Sequence, residues 1–165
     1  MGIDLSKNVF QLHGVDEKGQ VVLAKRKSRA EIRSAIANLP KCVIGMEACG
    51  GAHYWAREFR SHGHEVKVMA AQFVKPYVKS NKNDAADAEA ICEAVSRPNM
   101  RFVGIKTIEQ QDIQSLHRIR RRCIGNRTAL VNETRGLLLE YGIAVPKGIG
   151  QLRRALPVIL EDGKE

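Results

Sequence analysis

Four carboxylic acids have the residue types and the local settings of a metal-binding acidic cluster. Asp4 interrupts an apolar run at the start of the chain, Glu47 ends a second apolar run, and Asp84 and Asp87 fall in the first turn of a predicted helix. A carboxylate at the end of a buried strand is costly unless a cation meets it. Mg²⁺ prefers oxygen ligands, and a pair of such ions commonly assists phosphodiester displacement. We therefore predict that these residues bind Mg²⁺, for which Mn²⁺ can substitute, and that they form the metal site of an enzyme that cuts nucleic acid.

The charge balance favours a polyanionic partner, because the 165 residues carry a formal net charge of +9. Generic basic surfaces also occur, so charge alone favours nucleic acid without establishing it. The four cysteines show no Cys-x-x-Cys spacing and are interpreted as reduced thiols. The sequence has no signal peptide and no apolar run that approaches a membrane span. We expect a cytoplasmic, nucleoid-associated protein with no membrane partner.

Hydrophobic periodicity predicts the elements that would position the acids. Strands are predicted at residues 2–5, 8–15, 20–27, 42–46 and 65–69. Helices are predicted to begin after a capping box formed by Ser28 and Glu31, at Ala52, and after Asn81 or Asn83. They end near residues 39, 61 and 96, and residues 70–82 form a basic connector.

The resulting order, β-β-β-α-β-α-β-α, is that of the RNase H-like fold, an α/β class with a five-stranded mixed sheet. Three strands form an antiparallel meander, and later strands enter through right-handed crossovers. Strands one and four are neighbours in that topology, so Asp4 and Glu47 converge. The helix after strand five delivers Asp84 and Asp87, which share one helix face. Residues 1–104 are therefore predicted to form the catalytic domain.

A long helical arm is predicted from residue 107 to about 141. Its apolar residues recur at spacings of three, four or seven, at Ile113, Leu116, Ile119, Cys123, Leu130, Leu137 and Tyr141. This pattern is typical of a coiled-coil-like arm or a helical hairpin, with Gly125 and Asn126 as points where it could bend. We assign residues 105–145 to oligomerisation and nucleic-acid contact. Residues 146–165 are assigned to a linker and the start of a further domain.

Six basic residues are candidate phosphate contacts, with a solvated surface as the alternative. They are Lys75, Lys79 and Lys82 before the aspartate pair, and Arg118, Arg121 and Arg122 on the arm. Consecutive arginines fan around a helix, so they cannot all face one partner.

Several further residues have a functional and a structural interpretation, and the structural one is favoured. His53 could touch substrate, and Tyr54 and Trp55 could stack on bases, but helix packing explains the two aromatic residues. The segment His62–His64 could bind a metal but is expected to be a polar turn. Cys49 lacks an evident base and is not interpreted as a nucleophile.

Three segments carry a resemblance to a known family. They read Gly-Ile-Asp-Leu-Ser-Lys at 2–7, Gly-Met-Glu-Ala-Cys-Gly-Gly-Ala-His-Tyr-Trp-Ala-Arg at 45–57, and Lys-Ser-Asn-Lys-Asn-Asp-Ala-Ala-Asp-Ala-Glu-Ala at 79–90. Together they resemble the DEDD transposases of the insertion-sequence "one-ten" family, which are relatives of pilin gene-inverting recombinases. The similarity covers roughly residues 1–145.

The resemblance implies a RuvC-like N-terminal domain in which Asp4, Glu47, Asp84 and Asp87 bind magnesium. It also implies DNA and a structured guide (bridge) RNA as partners, and a helical arm used in dimer and tetramer assembly. In the family, a C-terminal domain supplies a catalytic serine. The last serine here is Ser115, on the arm, so we expect residues 1–165 to be an N-terminal piece that does not complete recombination alone.

Three other functions remain open at this point. A stand-alone Holliday-junction-type resolvase would use the same carboxylates on branched DNA. A non-catalytic RNA-binding and dimerisation module would use the acidic cluster only for structure. An actin-like ATPase ranks last, because the chain lacks a convincing glycine-rich phosphate loop.

Overall fold

The computed structural model describes residues 1–79 and 83–162. The chain divides into two compact units, Met1–Thr107 and Ile108–Glu165. No helix in the described residues is long and apolar enough to cross a membrane.

The first unit contains one mixed sheet of six strands. They are β1 (Gly2–Leu5), β2 (Val9–Val15), β3 (Val21–Ser28), β4 (Val43–Glu47), β5 (Glu65–Met69) and β6 (Phe102–Val103). The order across the sheet is β3-β2-β1-β4-β5-β6. The first three strands are antiparallel, β4 and β5 run parallel to β1, and β6 is antiparallel to β5. This mixed α/β arrangement is compatible with the predicted RNase H-like fold.

Four helices and one 3₁₀ turn connect these strands. They are α1 (Ile32–Ala37), α2 (Ala52–Ser61), α3 (Ala71–Val74), the 3₁₀ turn (Lys75–Tyr77) and α4 (Asp84–Val95). The helix predicted at 52–61 and the strand predicted at 65–69 have the observed bounds. Gly51, with φ of 88°, precedes α2, and Gly63, with φ of 86°, follows it. Both glycines adopt the left-handed conformation that a side chain would disfavour.

The sheet separates two apolar clusters, so both of its faces contribute to the core. One cluster packs Ile3, Phe10 and Met46 against Trp55 and Phe59 of α2. The ring of Trp55 meets Phe10 edge-on at 4.9 Å between centroids. Each fully buried side chain of this size contributes about 1.5–3 kcal/mol. The other cluster lies between the sheet and α4, and its members are Met69, Val74, Ala90, Ile91, Ala94 and Val95.

The structure differs from the sequence-based prediction at three short elements. It adds β6 to the five predicted strands, and it adds α3 and the 3₁₀ turn to the predicted connector at 70–82. An element of two to four residues is too short to show a periodic pattern, so none of the three could be predicted from the sequence.

The first helix also begins later than predicted. The Glu31 carboxylate accepts hydrogen bonds from the Ser28 backbone N–H at 3.0 Å and from the Ser28 hydroxyl at 2.7 Å. However, Ser28 is still paired with Val9 in the sheet, and Arg29 N–H donates to the Asn8 carbonyl at 2.9 Å. Strand pairing therefore delays the start of α1 to Ile32.

The second unit consists of α5 (Ile108–Glu140) and α6 (Ile149–Asp162). The helix α5 runs for 33 residues and is continuous through Gly125 and Asn126. Of the two alternatives predicted for this segment, the structure has the single helical arm and not the hairpin. After it, Gly142 adopts a positive φ of 76°, and Ile143 N–H donates to the Leu138 carbonyl at 3.0 Å. This is the usual way for a glycine to end a helix.

Candidate active site

Two glycines allow α4 to lie directly on β1 and β4. Gly2 and Gly45 are partners in the parallel pairing of these strands. A Cβ atom built on Gly2 would lie 2.3 Å from the Ala88 carbonyl oxygen, and one built on Gly45 would lie 2.7 Å from Val95 Cβ. Any side chain at either position would therefore push the helix away from the sheet.

The same two glycines determine which way the strand carboxylates point. Side chains alternate between the faces of a strand, and Asp4 and Glu47 each follow a glycine by two residues. Both therefore project from the face that α4 covers. Both are also half-buried at the carboxyl ends of neighbouring parallel strands.

The first turn of α4 supplies the other two carboxylates. The Asn83 side chain accepts a hydrogen bond from Ala86 N–H at 2.8 Å, which confirms Asn83 as the N-cap. Asp84 and Asp87 follow in the first turn, where the helix dipole favours negative charge. The carboxylates of all four predicted residues are near enough to one another to affect the titration of Asp4. The fold thus brings the four acids together at the carboxyl ends of the central strands β1 and β4.

Three of the four acids line one cavity of about 640 Å³. Its acidic wall is formed by Asp4, Glu47 and Asp87, and Asp84 is exposed outside this lining. Lys75 also lines this cavity and contributes a cation. The remaining lining residues are Ala71, Gln72, Val74 and Val78.

The electrostatic environment of Asp4 differs from that of an ordinary surface carboxyl. Burial raises the pKa of Asp4 most, and the negative charges of Asp87, Asp84 and Glu47 add to it in that order of size, so that together they bring it from 3.8 to about 6. A backbone hydrogen bond at Leu5 opposes the increase. The raised pKa of Asp4 therefore reflects its partial burial and the like charges around it. A bound cation would reduce the repulsion between these charges.

The donor set at this edge fits a hard divalent cation. All four side chains offer carboxylate oxygens, the ligands that Mg²⁺ and Mn²⁺ prefer. In the described residues, however, no three His, Cys, Asp or Glu side chains are arranged to hold one ion. The acids repel one another across the cavity, but their positions are not those of a closed coordination sphere.

The lysines predicted to contact phosphate have different surroundings. Lys75 lines the cavity with the acids. Lys79 is drawn to α4 instead, because its ammonium lies 3.0 Å from a Glu93 carboxylate oxygen and 3.3 Å from one of Glu89. Lys82 lies outside the described residues. Of the two described lysines, Lys75 has the position expected for a phosphate contact at this cavity.

The three predicted arginines lie together on α5 in the second unit. Arg118, Arg121 and Arg122 are exposed and line a shallow hollow that Gly125 and Asn126 complete. A glycine on this helix surface leaves room beside the guanidinium groups. The arrangement offers several hydrogen-bond donors to one partner.

The secondary candidates have structural roles in the described residues. His53 accepts a hydrogen bond at Nδ1 from Lys106 N–H at 3.3 Å, and burial lowers its pKa, with Lys106 and Arg57 lowering it further. Trp55 is buried in the core, and the Tyr54 hydroxyl is hydrogen-bonded to Arg33.

The turn at 62–64 is held by protein contacts. His64 is buried, and its Nε2 lies 3.1 Å from the Ile36 carbonyl oxygen. The expectation of a turn is therefore confirmed by the geometry of Gly63 and by these contacts. Cys49 stands beside the acids, where burial and then the charges of Glu47 and Asp4 raise its pKa, so its thiol is poorly suited to act as a nucleophile.

Gly2 and Gly45 are the positioning residues that the sequence reasoning missed. A signal for them exists, because each stands two residues before an acid, in Gly-Ile-Asp at 2–4 and Gly-Met-Glu at 45–47. A strand glycine often marks a place where another backbone approaches closely. The repeated pattern of glycine and acid predicts a helix packed over both strands.

Comparison with known proteins gives a consistent family. The family model for DEDD transposases of the IS110 type, described as "Transposase", matches residues 1–143. The chain is 56% identical to a "Probable family 20 transposase" of Pseudomonas aeruginosa over 98% of this chain and 47% of that protein.

Two other relatives are named for insertion sequences. The chain is 51% identical to the "Transposase for insertion sequence element IS1111A" of Coxiella burnetii, over 97% of this chain and 44% of that protein. It is 46% identical to the "Transposase for insertion sequence element IS1328" of Yersinia enterocolitica, over 96% of this chain and 47% of that protein. The chain spans about half the length of these relatives. Because the family model covers most of its residues, the chain belongs to the IS110 family of DEDD transposases.

Proposed function

We propose that this chain forms the metal-dependent DNA-cleaving domain of a transposase, with an RNase H-like, RuvC-like fold. The single observation that carries the proposal is the meeting of four carboxylates from β1, β4 and α4 at one edge of the sheet. Family membership supports the reaction class, because the relatives are named as transposases. The strand order and the helix packed on β1 and β4 support the fold assignment.

Asp4, Glu47, Asp84 and Asp87 would hold divalent cations, with Mg²⁺ as the natural ion and Mn²⁺ as a substitute. When bound, such ions supply Lewis-acid activation of a phosphodiester and a charge that phosphate can approach. The protein contributes the oxygen donors and excludes part of the water around Asp4. Lys75 in the cavity wall adds a positive charge for a DNA phosphate.

The helix α5 supports the remaining parts of the proposal. Its apolar side chains are exposed, with Leu116 at 67% and Leu130 at 63%, which favours dimers or tetramers in which these residues are covered. Arg118, Arg121 and Arg122 on the same helix are proposed to contact the backbone of DNA or of a structured guide RNA. Strand transfer is proposed to use, in addition, the serine-bearing domain that the family resemblance implies.

Calorimetric titration of Mg²⁺ and Mn²⁺ into the chain tests the metal assignment. We expect Asp4→Asn to weaken binding at least about tenfold, since one oxygen donor is lost from the cluster. Asp112→Asn makes the same chemical change at an exposed position of α5 and should leave binding unchanged. Circular dichroism of each variant verifies that the fold is retained.

Three results would contradict the proposal or favour one of its alternatives. Equal binding by the wild-type chain and Asp4→Asn would remove these carboxylates from the metal site. No binding by any folded variant, with or without DNA, would favour the non-catalytic RNA-binding and dimerisation module. Cleavage of branched DNA by this chain alone would instead favour the stand-alone resolvase.

A further inference from the structure

A row of polar side chains crosses the sheet from the candidate active site, at the carboxyl ends of β1 and β4, to the edge strand β3. Asp4 is paired with Gln11 in the antiparallel register of β1 and β2, and Gln11 is paired with Arg26 in that of β2 and β3. On the other side of Asp4, the parallel register of β1 and β4 continues the row to Glu47. Residues directly opposite each other on neighbouring strands share a face of the sheet. The row therefore reads Glu47, Asp4, Gln11, Arg26.

The burial pattern confirms which face the row occupies. Phe10 and Leu12, on either side of Gln11, are buried in the cluster on the opposite face. Leu23 on β3 packs against the same cluster, and by alternation Lys25 faces that side as well. Arg26 consequently projects from the face that carries Asp4.

Arg26 is available to an external partner. Its side chain is exposed on the edge strand β3. Within residues 1–79 and 83–162, no carboxylate forms an ion pair with it. Lys27, one residue further along the strand, is paired with Glu31 at 3.7 Å. Arg26 thus presents an unneutralised guanidinium on the same face as the acids.

The change from acid to base along the row suits a nucleic-acid strand. Adjacent strands lie about 4.8 Å apart, so the backbone of Arg26 is about 10 Å from that of Asp4. A DNA backbone with one phosphate near the carboxylates can therefore place another phosphate of the same strand within reach of Arg26.

We propose that Arg26, with Gln11 beside it, forms a subsite for the phosphodiester backbone of the DNA strand that enters the carboxylate cavity. The guanidinium holds a phosphate with paired N–H donors, and Gln11 provides a neutral polar surface between Arg26 and Asp4. This inference rests on the proposed function, because that function supplies the DNA strand. It adds Arg26 of β3, which sets the direction in which the DNA strand crosses the sheet.

A basic residue on an edge strand can also serve only to prevent sheet-to-sheet aggregation. Lys25 would serve that purpose as well as Arg26, since both are exposed on β3. The two differ in the face from which they project. Comparing the same substitution at these adjacent positions separates a directional DNA contact from general surface charge.

The test measures binding of a fluorescein-labelled single-stranded DNA of mixed sequence by fluorescence anisotropy, in Ca²⁺ buffer over a series of salt concentrations. We expect Arg26→Gln to raise Kd about tenfold. It should also reduce the slope of log K against log salt by about 0.7, the loss of one phosphate contact. Lys25→Gln should change Kd less than about twofold. Arg26→Lys should keep the salt slope of the wild-type chain but lose part of the affinity, because a lysine ammonium cannot make the paired contact.

Equal effects of Arg26→Gln and Lys25→Gln would overturn the subsite, as would a wild-type chain that does not bind the DNA. A larger loss for an RNA of the same sequence than for the DNA would also overturn it, because the contact would then belong to the guide. Failure of the subsite is distinguishable from failure of the proposed function. Arg26-dependent DNA binding in a chain whose metal affinity does not depend on Asp4 supports the subsite and contradicts the metal assignment alone.

Discussion

In Met1–Thr107 the large apolar side chains lie against both faces of a sheet, whereas along α5 they remain exposed. Ile3, Phe10 and Phe59 are fully buried. By contrast, in the part of the chain that the structure describes, none of the 33 residues of α5 is buried. The first unit therefore has its own core, and it can hold four like charges close together at its edge.

The difference indicates how the two regions serve function. A packed sheet and helix can position carboxylates at a cost in stability, since the core compensates for that cost. An exposed helix of this length gains little from its own packing, so we propose that a partner covers its apolar residues. We infer that chemistry belongs to the first unit and assembly to the second.

The largest expected effect concerns the contact between α4 and β1. Gly2→Ala places a methyl group where the Ala88 carbonyl oxygen lies, and it should lower the free energy of unfolding by about 3 kcal/mol. Gly104→Ala is the matched control, because a Cβ there meets no atom within 4 Å. Chemical denaturation of both variants gives the comparison. Similar small losses in the two would show that α4 does not depend on this close approach.

The next effect tests the exposed helix. Leu116→Glu places a charge in the apolar stripe of α5 and should weaken self-association about a hundredfold, the loss of one buried leucine at about 3 kcal/mol. Gln114→Glu adds the same charge two residues away, on another side of the helix, and should leave association unchanged. Analytical ultracentrifugation measures both. A wild-type chain that remains monomeric at high concentration would remove the assembly role from α5.

A smaller effect concerns the stability cost of the acidic cluster. The pKa of Asp4 rises from 3.8 to about 6 in the folded chain, so the folded state holds this proton more tightly than the unfolded state. The contribution of Asp4 to stability is therefore most favourable below pH 4 and declines as the pH rises through 6. Asp4→Asn removes this decline and should be more stable than the wild-type chain by about 1 kcal/mol at pH 7.5, allowing for solvent screening.

Denaturation curves of the two chains from pH 4 to pH 7.5 measure this difference. Asp112→Asn is the control, since it changes an exposed acid outside the cluster. Saturating Mg²⁺ should stabilise the wild-type chain and leave Asp4→Asn largely unaffected. A constant difference between the chains at every pH would contradict the raised pKa of Asp4.

Much of the first unit could be predicted from its sequence, because its long elements have clear periodicity. The strand at 65–69 and the helix at 52–61 have the predicted bounds. The two-residue β6 was missed because no pattern fits so short a strand. The sequence left open whether α5 continues through Gly125, since a glycine weakens a helix but does not require a turn.

The arrangement of the site could be predicted only in part. The order of the elements brings Asp4 beside Glu47, but the distances among the four carboxylates depend on how closely α4 approaches Gly2. The ion pairs of Lys79 with Glu89 and Glu93 were not predicted. These residues are ten and fourteen positions away, so no local spacing rule predicts the contact.

The most direct test of the central claim locates the metal in the folded chain. Mn²⁺ broadens the NMR signals of nearby nuclei, so substoichiometric Mn²⁺ can be added to the ¹⁵N-labelled chain while its amide signals are recorded. We predict early loss of the signals of Leu5, Ala48 and Ala88, which neighbour the acids, and retention of the signal of Gly19 in the β2–β3 turn. Asp4→Asn should abolish this selectivity. Broadening that is uniform, or that begins on α5, would contradict the assignment of the carboxylate edge as the metal site.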